Sequence, residues 1–272
     1  MQLSIILLIL VVIYIIFTSK DKWEAFKIII SAGTIAILIR TLLFQPFNIP
    51  SGSMIPTLLI GDFIFVSQYK YGYSKHSLPL SLPLIKDRIL KKIPKRGDVV
   101  VFKTPRDNRT HYVKTLVGLP GDVVQVKKGI VYINDEETKR YKIDPEYYIE
   151  NKYVIDKDYV EIFSNGQKHI VRELQDNGSA DNTIKFTVPN DHFFMMGDNR
   201  DNSTDSRALG YVGFIPFNNL VGKAEMIFFS IDKRNFKINK FWNWKIRFDR
   251  IGKIINKNVN KYYENWRIWK KN

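Results

Sequence analysis

Two long apolar runs lie in the first 44 residues of the chain. Residues 3–17 are almost all apolar, and in residues 27–44 the only charge after Lys27 belongs to Arg40. Helices of this length can cross a hydrocarbon core about 30 Å thick, and an arginine near a helix end can reach the headgroups. We therefore predict two transmembrane helices, at residues 1–19 and 27–44. A buried core helix is the alternative for the first run.

Residues 20–26 connect these two helices, and their composition predicts an orientation. The connection carries Lys20 and Lys22 beside Trp23. Short basic loops stay in the cytoplasm, and tryptophan favours the membrane interface. No basic residue precedes the first run and no small-residue cleavage site follows it, unlike in a signal peptide that is removed. We expect a multi-pass membrane protein whose chain after Phe44 faces outward.

Short apolar runs separated by turn residues characterise the chain after residue 44. They lie at residues 58–66, 98–102, 111–117, 122–126, 130–134, 184–188, 192–197 and 220–231. Many short strands with regular turns, and no long amphipathic helix, are typical of a mainly β fold. We predict a β-domain of mixed antiparallel sheets built from residues 45–133 and 192–231.

Three segments depart from this pattern. Residues 134–191 are more polar and predict a small β insertion subdomain, whereas residues 69–95 contain three prolines and predict an extended, exposed connection. Residues 232–272 form a basic tail, with 13 Lys and Arg residues against two acidic ones after residue 232 and four of the five tryptophans. This composition is typical of a membrane interface with anionic headgroups, and nucleic-acid binding or packing on the domain are the alternatives. Because the tail is predicted to face outward, we expect no nucleic-acid partner.

The overall composition excludes several kinds of site. The 272 residues include 42 Lys and Arg, 27 Asp and Glu, four histidines and no cysteine, for a net charge of +15. Without cysteine there is no disulfide framework, thiol catalysis or cysteine-ligated metal. The four scattered histidines do not suggest a zinc site. We expect neither a cofactor nor a metal.

Ser51 and Ser53 flank Gly52 just beyond the second predicted helix. Pro50 and Pro56 stiffen the chain on both sides of this turn. A serine held in this way can act as a nucleophile beside backbone N–H groups that bind an oxyanion. For this segment alone, an ordinary loop is the alternative.

Lys114 lies within a strongly β-forming run, HYVKTLV at residues 111–117. On a strand, Tyr112, Lys114 and Leu116 share one face. Burial among such neighbours lowers the pKa of a lysine, which is the condition for a general base near neutral pH. An edge-strand lysine with its amine in solvent is the alternative.

A polar loop, GDNRDNSTDSR at residues 197–207, directly follows a predicted apolar strand. Its aspartates, Asp198, Asp201 and Asp205, lack the spacing and the terminal glutamate of a calcium-binding EF-hand. A network that orients catalytic groups explains these residue types better than a metal site or a solvated turn does.

Together these segments resemble the conserved boxes of type I signal peptidases, the bacterial leader peptidases. The boxes, in the family's order, are SGSMIPTL at 51–58, RGDVVVF at 96–102 with YVKTLVGLPGD at 112–122, and GDNRDNSTDSR at 197–207. The resemblance covers residues 44–231 and the two-helix anchor. It implies a membrane-bound serine endopeptidase that removes signal peptides from exported preproteins after small residues at positions −3 and −1. The implied location is the bacterial inner membrane, with the catalytic β-domain on the outer, periplasmic side.

The resemblance also implies roles for individual residues. Ser53 matches the nucleophile and Lys114 the general base, and the oxyanion hole would use the Ser53 backbone N–H and the Ser51 hydroxyl. Ser203 matches the serine that hydrogen-bonds the lysine amine. The other positions of the supporting network are Gly197, Asp198, Arg200, Asp205 and Arg207. The substrate pockets match Phe47, Ile49, Met54, Leu58, Tyr112 and Val113.

The sequence departs from the family at two places, and two other functions are compatible with its motifs. Thr115 follows the lysine where many members have arginine, and Ala208 with Leu209 replaces a common aromatic pair.

A Ser-His-Asp triad would need a distant partner, because His111 points away from Lys114 by strand parity. The alternatives are a Ser/Lys protease with one dedicated or self substrate, and a membrane-anchored, non-enzymatic β-domain.

Overall fold

The computed structural model describes residues 21–78, 81–143, 153, 155, 157–232 and 245–255. The first predicted transmembrane helix, at residues 1–19, lies outside the described residues. The four tryptophans of the tail, Trp242, Trp244, Trp266 and Trp269, also lie outside them.

An apolar helix, α1, runs over Lys22–Leu42 and is exposed along almost its whole length. It is the one helix in the described part of the chain that is long and apolar enough to cross a membrane. The predicted bounds of 27–44 need correction at both ends. Residues 22–26, predicted as a loop, are helical because the Asp21 side chain accepts a hydrogen bond from the Trp23 N–H and caps the first turn. The helix ends at Leu42 because strand pairing begins at Phe44.

Short strands make up most of the rest of the described chain, which confirms the predicted mainly β fold. In chain order they are β1 Phe44–Asn48, β2 Asp62–Ser67, β3 Val99–Lys103, β4 His111–Gly118, β5 Val123–Lys127, β6 Ile130–Ile133, β7 Glu136–Glu137, β8 Lys139–Lys142, β9 Asp158–Ile162, β10 Lys168–Arg172, β11 Phe186–Thr187, β12 His192–Met196, β13 Ile215–Pro216, β14 Leu220–Asp232 and β15 Lys245–Ile246. Single-turn 3₁₀ helices lie at Lys75–Ser77, Arg200–Asn202, Phe217–Asn219 and Phe248–Arg250.

The largest sheet has eight strands in the order β1-β2-β14-β3-β4-β12-β13, with β15 paired to β14. Register shifts between β14 and β2 increase the local twist, so the 13-residue β14 follows a curved sheet. An aliphatic core cluster packs strands β2, β3 and β14 against the loop that follows β1. Its buried members are Ile49, Met54, Leu58, Ile64, Val66, Val99, Val101, Val221, Ala224 and Ile227. This burial fixes the chain on both sides of Ser53.

The predicted insertion, residues 134–191, is divided between two smaller sheets. Strands β8, β9 and β10 form a three-stranded sheet of their own in the order β10-β9-β8, called the insertion sheet below. In contrast, β7 and β11 pair with β6 and β5, which the alternation assigned to the main domain. The two ends of the insertion therefore extend the β5–β6 hairpin.

Residues 69–95 are held more firmly than their prolines predict. Tyr73 and Ile89 form an antiparallel bridge. Arg88 is buried and donates hydrogen bonds to the carbonyls of Gly72, at 2.6 Å, and Leu220. A guanidinium satisfies several buried carbonyls at once, which holds this part of the connection against the sheet. The outer part, around Leu84, is exposed as predicted.

Residues 245–255, within the predicted surface tail, fold back onto the domain. Strand β15 pairs with β14, and Ile255 packs against the core cluster. Arg250 Nη2 lies 2.6 Å from Asp62 Oδ2, and Arg247 makes a second ion pair with the same buried carboxylate. This segment packs on the domain, which is the alternative given for the tail, and the membrane-surface contacts of the tail stay a prediction. A buried carboxylate without its cations would be strongly destabilising.

Candidate active site

Ser53 and Lys114 meet in the structure, although 61 positions separate them. Ser53 lies in the loop after β1, and Lys114 lies on β4, which β3 and β12 flank on either side. Lys114 Nζ donates a hydrogen bond to Ser53 Oγ at 2.5 Å. The lysine is only 3% exposed, so the alternative of an edge-strand lysine with a solvated amine is wrong.

Burial lowers the pKa of Lys114 to about 8, because removing the ammonium from water disfavours its charged form. Asp205 and Asp198 oppose this effect, and Arg207 adds to it. The uncharged amine is therefore accessible near neutral pH. An amine in this form, at hydrogen-bonding distance from a hydroxyl, can accept the hydroxyl proton.

The loop carrying Ser53 is held from the other side by Asn199. Its backbone N–H donates to the Ser53 carbonyl and its side-chain Nδ2 donates to the Gly52 carbonyl, both at 3.0 Å. Ser51 Oγ lies 3.5 Å from Ser53 Oγ, so the two hydroxyls border the same space. Sequence reasoning did not single out Asn199, although it lies within the 197–207 loop and its residue type is suited to this contact.

Asp198 joins the two segments that carry the serine and the lysine. Its two carboxylate oxygens accept hydrogen bonds from Thr57 Oγ1 at 2.5 Å and Thr115 Oγ1 at 2.7 Å. Burial raises the pKa of Asp198, although His169 and the two threonine hydroxyls oppose this shift. Thr115, a departure from the family pattern, therefore has a definite structural partner.

The backbone at Gly197 passes too close to its neighbours for any side chain. A Cβ at this position would lie 2.1 Å from Ser203 Oγ and 2.7 Å from the Ser53 carbonyl oxygen. The implied hydrogen bond between Ser203 and Lys114 is not formed. Ser203 Oγ is buried and has no hydrogen-bond partner among the described residues, whereas the lysine amine bonds Ser53.

Asp205 and Arg207 stabilise the far end of the 197–207 loop. Asp205 accepts a hydrogen bond from the Gly197 N–H at 2.9 Å and pairs with Arg207 Nε at 2.9 Å. Burial alone would raise the pKa of Asp205, but Arg207 and these hydrogen bonds hold it below its usual range. Arg207 Nη2 also donates to the Arg200 carbonyl at 2.6 Å. Direct contacts therefore join Gly197, Arg200, Asp205 and Arg207, whereas Ser203 makes no hydrogen bond within this set.

Arg200 connects this loop to the insertion sheet. Its Nη2 lies 2.5 Å from Glu161 Oε2, and His169 Nε2 lies 3.2 Å from the same oxygen. All three side chains are at most 2% exposed. The Arg172 N–H adds a backbone hydrogen bond to the Asp198 carbonyl at 2.8 Å. Sequence reasoning missed Glu161 and His169, since neither lies in a motif and only the fold brings them to Arg200.

The 197–207 loop uses its acidic side chains for protein contacts. Asp201 accepts hydrogen bonds from the backbone N–H groups of Leu174 and Gln175. Among the described residues, no group of three or more His, Asp or Glu is arranged to hold a metal ion.

A cleft of about 510 Å³ opens beside Ser53 and Lys114, and we call it the active cleft. Five of the implied substrate-binding residues line it: Phe47, Ile49, Met54, Tyr112 and Val113. The sixth, Leu58, is fully buried in the core cluster and does not line the cleft. His111 also lines the cleft, with its ring 5.1 Å from that of Phe47. No histidine in the described part of the chain is hydrogen bonded to Ser53, so the geometry favours the serine–lysine pair over a triad.

Comparison with known proteins identifies similar chains. The family model described as signal peptidase, peptidase S26, matches residues 22–229. A signal peptidase I of Rickettsia conorii is 41% identical over 221 residues, which cover 78% of this chain and 80% of that protein. The signal peptidase I of Rickettsia massiliae is 40% identical over the same shares of both chains. That of Rickettsia bellii is 37% identical over 252 residues, which cover 86% of this chain and 85% of that protein.

Among solved structures, a signal peptidase I of Enterococcus faecalis V583 is 29% identical. The match covers 48% of this chain and 97% of that chain, with a TM-score of 0.30.

Proposed function

Since the chain belongs to the peptidase S26 family of signal peptidases and is a serine endopeptidase that removes signal peptides, we propose that Ser53 is its nucleophile and Lys114 its general base. The observation that carries this proposal is the 2.5 Å contact between Lys114 Nζ and Ser53 Oγ, with the lysine buried and its pKa lowered to about 8. Family membership also removes the alternative of a non-enzymatic β-domain.

The proposed reaction begins with the uncharged amine of Lys114. The amine takes the proton of the Ser53 hydroxyl as Oγ attacks the carbonyl carbon of the scissile bond. The oxyanion that forms is stabilised by the Ser53 backbone N–H and the Ser51 hydroxyl, whose oxygen lies 3.5 Å from the nucleophile. The lysine then gives the proton to the leaving amine, the C–N bond breaks and an acyl-enzyme remains. A water molecule, deprotonated by the same amine, hydrolyses the ester and releases Ser53.

The 197–207 loop positions both catalytic side chains in this proposal. Asn199 holds the backbone of Ser53, while Asp198 joins Thr57 to Thr115, the residue after Lys114. Asp205 and Arg207 hold the loop itself. Preorganisation of this kind keeps the reacting atoms within bonding distance before the substrate arrives.

We further propose that the active cleft selects small residues at positions −3 and −1 of an exported preprotein. Phe47 of β1, Ile49 and Met54 of the following loop, and Tyr112 and Val113 of β4 line this cleft. The signal peptide would lie between β1 and β4, with its carboxyl end at Ser53. Large side chains at the two positions would collide with these lining residues, which belong to packed strands and loops.

Membrane attachment brings the site to its substrate. Helix α1 ends two residues before β1, and β1 leads to the loop that carries Ser53. We propose two spans, at residues 1–19 and at α1, in a bacterial inner membrane with the β-domain on the periplasmic side. The tail beyond residue 255 would add contacts with anionic headgroups through its lysines and tryptophans. Diffusion in two dimensions would then raise the effective concentration of signal peptides at the active cleft.

The decisive experiment measures cleavage of a preprotein with alanine at positions −3 and −1 by the detergent-solubilised full chain. We expect Ser53→Ala and Lys114→Met each to lower kcat by roughly 10³-fold or more, because the two side chains act as a unit. Lys103→Met is the matched control. Lys103 is also a buried strand lysine, on neighbouring β3, but its amine bonds Ser81 Oγ at 2.6 Å. Equal cleavage by the wild type and Lys114→Met, or equal loss in Lys103→Met, would refute the dyad.

A further inference from the structure

Residues 82–93, the outer part of the connection between β2 and β3, expose several large apolar side chains, and we call them the apolar loop. Five of these side chains are between 45% and 78% exposed: Leu82, Leu84, Ile89, Leu90 and Ile93. One exposed acidic residue of the loop, Asp87, accompanies three exposed lysines, which are Lys86, Lys91 and Lys92. Closely spaced apolar side chains that a fold leaves exposed mark an interaction surface. None of them has a role in the mechanism described above.

The backbone of the apolar loop is held in place, although its side chains are exposed. Tyr73 and Ile89 exchange backbone hydrogen bonds at 2.9 and 3.0 Å, and the Lys92 N–H donates to the Tyr71 carbonyl. Leu90, between them, has a φ of +52°, a left-handed conformation that is unfavourable for leucine. Residues held in such conformations cluster at binding sites and switch regions. The fold therefore keeps an apolar side chain exposed despite the conformational cost.

The first part of the connection is hydrogen bonded to the last turn of α1. Tyr73 Oη donates to the Leu42 carbonyl at 2.7 Å, and Gln68 Nε2 donates to the Arg40 carbonyl at 3.1 Å. The last carbonyls of a helix have no partner within it, and these two side chains supply one to each. Since Tyr73 is paired with Ile89, the apolar loop lies beside the end of α1.

A second contact places the start of the apolar loop at the same edge of the main sheet. Register partners form one row across β1, β2, β14 and β3, namely Phe44, Ser67, Lys223 and Val100. Strand β3 runs in the same direction as β2 and continues three residues past this row to Lys103, whose Nζ bonds Ser81 Oγ at 2.6 Å. The apolar loop is therefore attached at the edge of the sheet that α1 enters.

The position and composition of the apolar loop favour a lipid bilayer as its partner. Leu42 and Phe44 are two residues apart, so at most about 7 Å of chain separates the end of α1 from the sheet. For a helix that spans a membrane, this edge of the sheet faces the bilayer. Apolar side chains interspersed with lysines are typical of segments that lie in a membrane interface, where the lysines meet anionic headgroups.

We propose that the apolar loop inserts its exposed side chains into the membrane beside α1, as a further membrane contact of the β-domain. The proposal rests on the proposed membrane attachment through α1. Contacts at two separate places fix the orientation of the domain, whereas a helix alone lets it tilt. Lys103 pairs with His111, which lines the active cleft. The apolar loop would therefore hold this end of the cleft next to the bilayer from which a signal peptide emerges.

The test uses single-cysteine variants, because the chain has no cysteine of its own. Leu84→Cys and Ile93→Cys, each in the full chain and carrying a polarity-sensitive fluorophore, are reconstituted in vesicles of phosphatidylethanolamine and phosphatidylglycerol. Lipids with a nitroxide on the acyl chain should quench both labels about twofold or more, because these side chains reach the acyl boundary. Ile184→Cys is the matched control and should not be quenched. Ile184 is 68% exposed and lies beside β5, which follows the end of β4 remote from His111.

Lysine variants test the chemistry of the lipid. In the labelled Leu84→Cys protein, three substitutions are combined: Lys86→Gln, Lys91→Gln and Lys92→Gln. They should roughly halve the quenching in the anionic vesicles and leave it unchanged in phosphatidylcholine vesicles, because only anionic headgroups attract the lysines. The matched control replaces three exposed lysines away from the loop, with Lys127→Gln, Lys128→Gln and Lys139→Gln, and should change neither value.

Several outcomes would overturn the proposal. Quenching at residues 84 and 93 no stronger than at residue 184 would show that the loop does not enter the bilayer. A change in the label spectrum in native membrane vesicles, but not in pure lipid, would assign the loop to a protein partner instead. Unchanged quenching in the lysine variant would exclude the anionic headgroups. A label at Ile35→Cys, within α1, that is not quenched would count against the membrane attachment itself, so the two failures are distinguishable.

Discussion

The burial of Lys114 shows how a single residue is prepared for its chemistry. Its ordinary pKa of 10.5 falls to about 8, a difference that corresponds to about 3 kcal/mol of penalty on the ammonium form. Below about pH 8 the folded protein carries the whole penalty, which declines as the pH rises from about 8 to 10.5, where the unfolded chain also loses this proton. A core would ordinarily have an apolar side chain here. The lysine is therefore explained by its contact with Ser53 rather than by stability.

The lowered pKa predicts the pH dependence of the reaction. Because the general base must be uncharged, kcat/KM should rise about tenfold per pH unit up to about pH 8 and then level off. The measurement is hydrolysis of a peptide with alanine at positions −3 and −1 between pH 5 and 9.5, with Ser53→Ala as the background rate. A flat profile between pH 5 and 9 would contradict a role for Lys114 as base.

Ser51 gives a second prediction at the scale of one residue. If its hydroxyl stabilises the oxyanion, Ser51→Ala should lower kcat by roughly 10²–10³-fold while changing KM little, because the hydrogen bond strengthens only in the transition state. Ser51→Thr keeps the hydroxyl and should recover part of the rate. Equal kcat for the wild type and Ser51→Ala would exclude Ser51 from the oxyanion hole.

Between elements, the main connection is that of the insertion sheet to the 197–207 loop. Glu161 on β9 and His169 on β10 face Arg200 in a site from which water is excluded. Burial opposes the charge of Glu161, but Arg200 and His169 hold its pKa well below the usual range. Such a pair contributes little net stability compared with apolar packing, yet neither partner tolerates the loss of the other. The insertion sheet and the active-site loop are therefore energetically linked.

This link predicts the effect of removing Glu161. Glu161→Leu leaves the Arg200 guanidinium buried without its carboxylate and should destabilise the fold by about 3–5 kcal/mol. Below the melting temperature, kcat should also fall, since Arg200 holds Arg207 through its carbonyl. Asp122→Asn is the control, because Asp122 pairs with Arg96 away from the loop. Thermal unfolding and peptide hydrolysis measure the two effects, and an equal loss of kcat in both variants would contradict the link.

At the scale of the whole molecule, a segment near the carboxyl end packs against one of the first strands of the domain. Asp62, at the start of β2, receives Arg247 and Arg250 from residues 245–255, and Ser230 Oγ from β14. These contacts join three distant parts of the chain around one buried carboxylate. Residues 245–255 therefore belong to the β-domain, and we expect only the part of the tail beyond residue 255 to bind a membrane surface.

Two truncations test this division of the tail. Deleting residues 245–272 leaves Asp62 without its cations and should prevent stable folding, whereas deleting residues 256–272 should keep the circular dichroism spectrum and peptide hydrolysis. The shorter deletion removes Trp266 and Trp269 and should weaken binding to vesicles that contain anionic lipid, with neutral vesicles as the control. The result that would contradict this division is a protein without residues 256–272 that no longer hydrolyses the peptide and is as unstable as the protein without residues 245–272.

The sequence by itself determined the local features of this protein. Apolar runs and turn residues indicated α1 and most of the strands, since they act within a few positions of the chain. The motifs at 51–58, 112–122 and 197–207 indicate the family and predict Ser53 and Lys114 as the catalytic pair without any tertiary contact. The helix bounds were less accurate, because the Asp21 cap and the pairing of β1 decide where α1 begins and ends.

Only the tertiary structure decided which buried groups face each other. The same alternating sequence with one lysine can form an edge strand or a strand inside a sheet. The burial of Lys114 therefore depends on the pairing of β3 and β12 on either side of β4. Glu161 lies 39 positions from Arg200 and belongs to no motif. Asp62 is almost 190 positions from the arginine that pairs with it. Burial and ion pairing are non-local interactions, and the free energy of each depends on partners that no short window of sequence contains.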